Sequence, residues 1–207
     1  MQKLIQDMRV IPKEVSKVIN QRMKEFNSFA QKPEEDWFSE LCFCILTANS
    51  KALTGIAIQN ELKFEGFSSL SQDEISNCIK KNKHRFHNNK SRYIVEARKF
   101  FNIKSILKNK SELEAREWLV QNVKGLGYKE ASHFLRNTGS ENLAILDRHI
   151  LNLMHEHNLI NEIPKPLNKT HYLEIESKFN SLASQLNMTP ARLDLAMWYL
   201  KTGKVLK

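Results

Sequence analysis

A glycine-rich turn followed by a lysine is the feature of this sequence best suited to chemistry. The stretch VKGLGYKEAS holds Gly125 and Gly127 in what resembles a tight turn, and Lys129 where a helix should begin. A helix N-terminus carries partial positive charge, so a cation there costs roughly 0.3–1 kcal/mol. Disfavouring the ammonium suits an amine that must act as a nucleophile. A surface lysine that binds a phosphate is the alternative.

The turn itself could bind an anion. Glycine has no Cβ, so Gly125 or Gly127 can take a positive φ and let the backbone approach a ligand closely. Successive N–H groups in such a turn form a small anion-binding nest, and the following helix adds its own free N–H groups. This combination suits one backbone phosphate, while an ordinary corner between two helices is the structural alternative.

Asp147 is a second candidate, 18 residues after Lys129 and directly behind the apolar run LAIL. At a predicted helix start, its carboxylate is a good N-cap. A carboxylate can also stabilise positive charge that develops on a reacting carbon. The two roles are compatible because a capping carboxylate is rigidly placed.

The surrounding sequence predicts an all-α protein of roughly nine or ten helices, because apolar residues recur at helical spacing and strand signals are scarce. Ser111 and Glu114 form a capping box at the start of the helix before the turn. Thr189, Pro190 and Gly203 mark the two ends of another helix. Further helices are predicted over 51–62, closed by Gly66, and as one long helix over 89–107. The stretch 161–170 is the best linker.

Composition narrows the class of protein. The net charge of +9 favours a polyanion partner, either nucleic acid or a membrane surface. The odd count of three cysteines, Cys42, Cys44 and Cys78, indicates reduced thiols. Residues 42 and 44 point to different faces of a helix, which argues against shared metal ligation. No apolar run approaches the ~20 residues of a membrane span. We therefore expect a soluble intracellular protein, cytoplasmic or nucleoid-associated.

The motifs resemble a known family. VKGLGYKEA resembles the helix–hairpin–helix of the base-excision DNA glycosylase superfamily, and LAILDRHIL (Leu143–Leu151) resembles the segment that carries its catalytic aspartate. A lysine two residues beyond the second glycine marks the bifunctional members. The missing C-terminal cysteine cluster argues against the iron–sulfur branch. The short chain ending in DLAMWYLKTGKVLK is similar to the archaeal-type (type-2) 8-oxoguanine DNA glycosylase/AP lyases. Lys124 departs from the proline that many relatives have there.

The resemblance implies one glycosylase unit over 1–207 with two helical subdomains and a DNA-binding cleft between them. Approximately 1–36 plus 140–207 would form one subdomain. Residues 37–139 would form the other, with the hairpin at 111–139.

The resemblance also implies a reaction. Lys129 would attack C1′ of a flipped-out 8-oxoguanine nucleotide and form a Schiff base, with Asp147 stabilising the charge at C1′ and helping the amine. β-Elimination would then nick the strand. Another oxidised base, such as thymine glycol, is the alternative substrate. A non-catalytic helix–hairpin–helix DNA-binding module is the alternative from another class, although phosphate binding needs neither Lys129 nor Asp147.

Several binding residues follow from the same resemblance. The backbone N–H groups of Gly125, Gly127 and Glu130 would hold a DNA phosphate. Asn49 would enter the gap left by the flipped base, a buried helix-capping asparagine being the alternative. Lysines and arginines between Lys80 and Tyr93 would add phosphate contacts, with a solvated loop as the alternative.

In the base pocket, Trp198 would stack on the flipped base, the alternative being plain core packing. The carboxylate at Lys207 would accept from the guanine N1–H and amino group. Appended residues should then damage oxidised-guanine excision more than AP-site cleavage.

We expect no required cofactor and no iron–sulfur cluster. The backbone carbonyls of Gln121, Val123 and Leu126 match positions where relatives ligate a metal ion, often a monovalent one. The expected partner is double-stranded DNA containing oxidised guanine, bound by a monomer away from any membrane.

Overall fold

The computed structural model describes residues 2–207. Within that range the regular elements are helices and none is a strand, which confirms the all-α prediction. Twelve α-helices replace the nine or ten expected. They are α1 (Gln2–Arg9), α2 (Lys13–Phe29), α3 (Glu34–Thr47), α4 (Ala52–Ser69), α5 (Gln72–Lys81), α6 (His87–Ala97), α7 (Ile103–Leu107), α8 (Glu112–Asn122), α9 (Tyr128–Asn137), α10 (Arg148–Glu156), α11 (Lys169–Gln185) and α12 (Pro190–Thr202). A short 3-10 turn at Arg98–Phe100 lies between α6 and α7.

The chain divides into two compact units. One comprises Met1–Phe29 with Gly139–Lys207, and the other is the continuous segment Ala30–Thr138. The helix–hairpin–helix therefore lies in the continuous unit, and Asp147 lies in the other.

In the two-segment unit, α12 packs against α1, α2, α10 and α11. Both predicted ends of this helix are confirmed. The Thr189 side chain accepts from the Arg192 N–H at 3.3 Å, Pro190 is the first helical residue, and Gly203 has a φ of 71°. The segment 161–168, within the predicted linker, has no regular secondary structure.

In the continuous unit, α3 packs against α4, α6, α7 and α9. Nine side chains of α3 between Phe38 and Thr47 are buried, including those of Cys42 and Cys44. Burial raises the pKa of the Cys42 thiol well above its ordinary value, and it raises that of Cys78 to about 11. The thiols are therefore core groups with little thiolate character.

Two helix predictions were wrong. The helix predicted over 51–62 does end there, at a break at Lys63, whose φ is 52°, but Gly66 does not close it, because helical structure resumes after the break and continues to Ser69. The long helix over 89–107 is divided at the 3-10 turn. There, Arg98 Nε donates to the carbonyl of Phe67 at 2.9 Å, and its Nη2 donates to that of Leu70. Arg98 thus satisfies free carbonyls at the end of α4. This is a contact between residues distant in the sequence, which the spacing of apolar residues does not predict.

Within residues 2–207, no helix combines the length and apolarity that a membrane crossing requires.

Candidate active site

The turn between α8 and α9 uses its two glycines differently. Gly125 has a φ of +90°, in the region that favours glycine, whereas Gly127 is extended with a φ of −97°. The Leu126 N–H donates to the carbonyl of Val123 at 3.2 Å and closes the turn. Only the first glycine is therefore required by its backbone conformation.

Helix α6 packs directly on this turn. A Cβ added to Gly125 would lie 2.6 Å from Cδ2 of Tyr93, so the ring leaves no room for a side chain. Lys124 Nζ lies 3.0 Å from Glu96 Oε2. Lys124, at the position where the resemblance would place a proline, thus has an ion pair to α6. Because its side chain is 67% exposed, that pair contributes at most about 1 kcal/mol.

A polar cluster joins α8 to α9. Tyr128 Oη donates to Glu117 Oε1 at 2.6 Å. Arg116 is fully buried, with its Nη1 donating to Ser132 Oγ at 3.3 Å and its Cζ 5.3 Å from the centre of the Tyr128 ring. A buried guanidinium needs such partners, and they fix how the two helices of the hairpin meet.

The first turn of α9 carries the proposed nucleophile. Lys129 is its second residue, with a side chain 23% exposed and Nζ 3.3 Å from Glu130 Oε1. Its predicted location at a helix N-terminus, where a cation is disfavoured, is confirmed. The structure adds a carboxylate partner for the amine, which the sequence did not predict.

Glu130 also contacts the backbone of the turn. Its Oε2 accepts from the Gly127 N–H at 3.3 Å. Gly127, the N-cap of α9, has no side chain that could accept from the Glu130 N–H. One carboxylate therefore lies against both a predicted phosphate-binding N–H group and the predicted nucleophile.

Lys90 is a charged group near this site whose burial the sequence did not predict. It lies in the basic stretch where phosphate contacts were expected, but it is only 5% exposed, and its Nζ donates to the carbonyl of Ile45 at 2.6 Å. Burial lowers the pKa of Lys90 to about 8, with the charge of Glu130 opposing that shift and the charge of Lys129 adding to it. Lys90 is therefore a buried structural cation of the site and does not face solvent.

His84 satisfies a second carbonyl at the same end of α3. Its Nε2–H donates to the carbonyl of Leu46 at 2.8 Å, and its Nδ1 accepts from the Phe86 N–H at 3.1 Å. Both contacts fit a neutral ring, and burial lowers the pKa of this histidine. The last turn of α3 is thus held by side chains from the segment that leads into α6 and from α6 itself.

Asn49 follows that end of α3. It is exposed, with a φ of 60°. Asparagine tolerates this left-handed conformation better than most residues. The alternative of a buried capping asparagine is wrong, because the side chain faces outward.

Asp147 is the N-cap of α10, as predicted. Its Oδ1 accepts from the Ile150 N–H at 2.8 Å, so the carboxylate is held in one orientation. The cap uses one of the two carboxylate oxygens.

Trp198 lies in α12 of the same unit as Asp147. Its ring centre is 4.7 Å from that of His149, and the two rings are perpendicular. Its indole Nε1–H is buried and has no hydrogen-bond partner within residues 2–207. Lys207 lies beyond α12 and is half-buried.

The three carbonyls expected to hold a cation belong to one short stretch. Gln121 is in the last turn of α8, where carbonyls lack the usual partner four residues on, and Val123 and Leu126 are in the turn. Their oxygen donors are of the kind that hard cations prefer. Across residues 2–207, no group of three or more His, Cys, Asp or Glu side chains is arranged to hold a metal ion.

The structure thus collects the hairpin glycines, Lys129 and Glu130 in one turn of the continuous unit, which also carries Asn49. Asp147, Trp198 and Lys207 belong to the two-segment unit.

Comparison with known proteins gives a consistent set of relatives. Residues 19–188 match the model of a helix–hairpin–helix family described as 8-oxoguanine DNA glycosylase. An 8-oxoguanine DNA glycosylase/AP lyase of Methanocaldococcus jannaschii is 51% identical over 195 residues, which cover 94% of each chain. The crystal structure of the M. jannaschii glycosylase/lyase with a 15mer DNA containing 8-oxoguanine has a TM-score of 0.96 at 48% identity, covering 99% of this chain and 100% of that one. The Thermotoga maritima 8-oxoguanine DNA glycosylase has a TM-score of 0.95 at 42% identity, covering 100% and 99%.

Proposed function

Because this chain belongs to the 8-oxoguanine DNA glycosylase/AP lyase family, we propose that Lys129 is its nucleophile and Asp147 its assisting carboxylate. The protein is a DNA repair enzyme that acts as a glycosylase and as an AP lyase on DNA containing 8-oxoguanine. The observation that carries the residue assignment is the position of Lys129. A partly accessible amine lies at the start of the helix that directly follows the glycine turn.

In the glycosylase step, the target nucleotide leaves the base stack, at a cost of a few kcal/mol. The neutral amine of Lys129 attacks C1′ as the bond from C1′ to the base breaks, and the base leaves with the bonding electrons. The sugar ring then opens to a Schiff base between Nζ and C1′.

In the lyase step, the Schiff base acidifies the proton on C2′. Its loss breaks the bond from C3′ to the 3′ phosphate oxygen, so the strand is nicked on the 3′ side. Hydrolysis of the remaining imine with one water regenerates Lys129.

Asp147 contributes a fixed negative charge in this proposal. Positive charge develops at C1′ as the base departs, and a preorganised carboxylate stabilises it without reorganising during the reaction. The hydrogen bond from the Ile150 N–H supplies that preorganisation.

The hairpin binds the DNA backbone through N–H groups of Gly125, Gly127 and Glu130. The positive φ of Gly125 supports this role because it belongs to a turn of the kind that forms an anion-binding nest. The glycine N-cap of α9 supports it because it leaves the Glu130 N–H without a side-chain cap. Asn49 enters the gap left by the flipped base, a role that its exposure and left-handed backbone support. Trp198 stacks on the base through the face of its indole ring, a role that its partial exposure supports.

A monovalent cation on the carbonyls of Gln121, Val123 and Leu126 would stabilise the hairpin and add positive charge near the bound phosphate. Their oxygen donors fit such an ion. The chemical steps above use only side chains of this chain.

Borohydride trapping tests the nucleophile. On a duplex with 8-oxoguanine or an abasic site, the reduced Schiff base should appear as a covalent protein–DNA adduct. Lys129→Gln should abolish this adduct, whereas Lys124→Gln, which removes an exposed lysine of the same turn, should keep it. Undiminished trapping in Lys129→Gln would contradict the assignment.

A further inference from the structure

Glu130 occupies the position where the proposed function needs a DNA phosphate. Its Oε2 accepts from the Gly127 N–H, and its Oε1 lies 3.3 Å from Lys129 Nζ. Its side chain is only 14% exposed, so the carboxylate lies within the turn and does not extend into solvent. An anion, a helix N-terminus and a cation are thus already assembled without DNA.

From this geometry we infer that the Glu130 carboxylate is an internal substitute for the DNA phosphate, displaced when DNA binds. The inference rests on the proposed function, since it assumes that the hairpin N–H groups hold a phosphate. Displacement would have two results in one movement: the Gly127 N–H becomes available to the phosphate, and the Lys129 amine loses its carboxylate partner.

The hydrogen bond of Glu130 is suited to being exchanged. Its N–O distance of 3.3 Å exceeds the 2.9–3.0 Å typical of N–H···O bonds, so it is a weak contact for a charged acceptor. A phosphate that reached the same N–H would bring a second anion next to the carboxylate. Like charges at such a distance repel, and the carboxylate can move away by rotation about its side-chain bonds.

Lys90 makes this movement less costly. Its charge acts on both Glu130 and Lys129 from α6. A carboxylate that leaves Lys129 therefore remains under the influence of a second, buried cation.

The test is the affinity for a duplex with a tetrahydrofuran abasic analogue, which cannot form a Schiff base. Glu130→Gln keeps an acceptor for the Gly127 N–H but removes the competing charge. We expect this variant to bind about two- to fivefold more tightly than the unmodified protein, the range that corresponds to a partly exposed ion pair.

Two control variants separate displacement from a general charge effect. Glu96→Gln removes a carboxylate that pairs with another lysine of the same turn, and Glu114→Gln removes the equivalent residue of the capping box on α8. Tighter binding by Glu130→Gln than by both controls supports the inference. Binding that is only as tight as theirs, or weaker than that of the unmodified protein, overturns it.

Glu130→Asp is a second variant in case the glutamine variant melts at a lower temperature. It keeps the charge, but its side chain is one CH2 shorter and cannot reach both partners. It should also bind more tightly than the unmodified protein, and unchanged or weaker binding counts against displacement. Because the analogue has no reactive C1′, these results do not depend on the nucleophile, which the borohydride assay tests separately.

Discussion

Helices α8 and α9 both have a glutamate as their third residue, but α8 is preceded by Ser111 and α9 by Gly127. In α8 the box is complete: the Ser111 side chain accepts from the Glu114 N–H at 3.3 Å, and Glu114 Oε2 accepts from the Ser111 N–H at 2.8 Å. In α9 only one of these two hydrogen bonds exists, the one from the Gly127 N–H to Glu130 Oε2 at 3.3 Å. The glycine therefore leaves the Glu130 N–H without a side-chain cap.

This difference suits the start of α8 to a structural role and the start of α9 to the proposed binding of a phosphate. A serine cap satisfies the free N–H groups from within, which stabilises the helix and leaves less for a ligand. A glycine cap keeps them available to an anion, at the cost of a few tenths of a kcal/mol. The serine hydroxyl caps the start of α8, and its absence at α9 leaves a helix start that fits the proposed phosphate binding.

The largest expected effect tests whether the conformation of the turn is needed for the open helix start. Gly125→Ala combines backbone strain at a φ of +90° with a Cβ 2.6 Å from the Tyr93 ring, so it should cost roughly 4 kcal/mol of unfolding free energy and most of the DNA affinity. Gly127→Ala is the matched control, because its Cβ would meet only Glu130 Oε2 at an ordinary 3.4 Å. Denaturant unfolding and duplex binding measure both. Equal losses in the two variants would mean that the positive φ does not matter.

A smaller effect concerns the buried cation beside α9. The pKa of Lys90, about 8, lies below its ordinary 10.5, so unfolding takes up a proton between these two values. The unfolding free energy should therefore rise with pH across this window, by on the order of 3 kcal/mol in total, and this contribution should be lost as pH falls towards 8.

Lys90→Met should remove that rise, and Lys80→Met, at an exposed lysine of α5, should keep it. Urea unfolding at several pH values from 7 to 11 gives both slopes. A rise of the same size in Lys90→Met would show that another group causes it.

The smallest expected effect comes from exchanging the two caps. Gly127→Ser should complete the box on α9, raising the unfolding free energy by a few tenths of a kcal/mol while weakening duplex binding severalfold. Ser111→Gly should lower stability by a similar amount and leave binding as it was. Thermal unfolding and binding to the tetrahydrofuran duplex test the pair. Tighter binding by Gly127→Ser would contradict the comparison.

The parts that the sequence predicted are those decided within a few residues. The capping box at Ser111, the cap by Asp147 and the ends of α12 each depend on residues at most four positions apart at each helix end, and all three are confirmed. The glycine turn was predicted for the same reason.

The parts that it did not predict depend on contacts between distant residues. Lys90 looked like one more surface lysine in a basic stretch, but it is buried and donates to the carbonyl of Ile45 in α3. Arg98 looked like part of a continuous helix, yet its contacts with Phe67 and Leu70 accompany a break there. The ion pair between Glu130 and Lys129 depends on the directions of two neighbouring side chains, and sequence spacing alone does not predict these directions.

Helix α6 makes contacts at Lys90, Tyr93 and Glu96, three residues apart along one face. The first reaches the end of α3 before Asn49, and the other two reach the glycine turn. At 1.5 Å per residue, these contacts span about 9 Å of the helix axis. A residue inserted between them would rotate one set by about 100° relative to the other. Variation in this segment should therefore occur by substitution, since a change of length would break either the contact with the end of α3 or the contacts with the glycine turn.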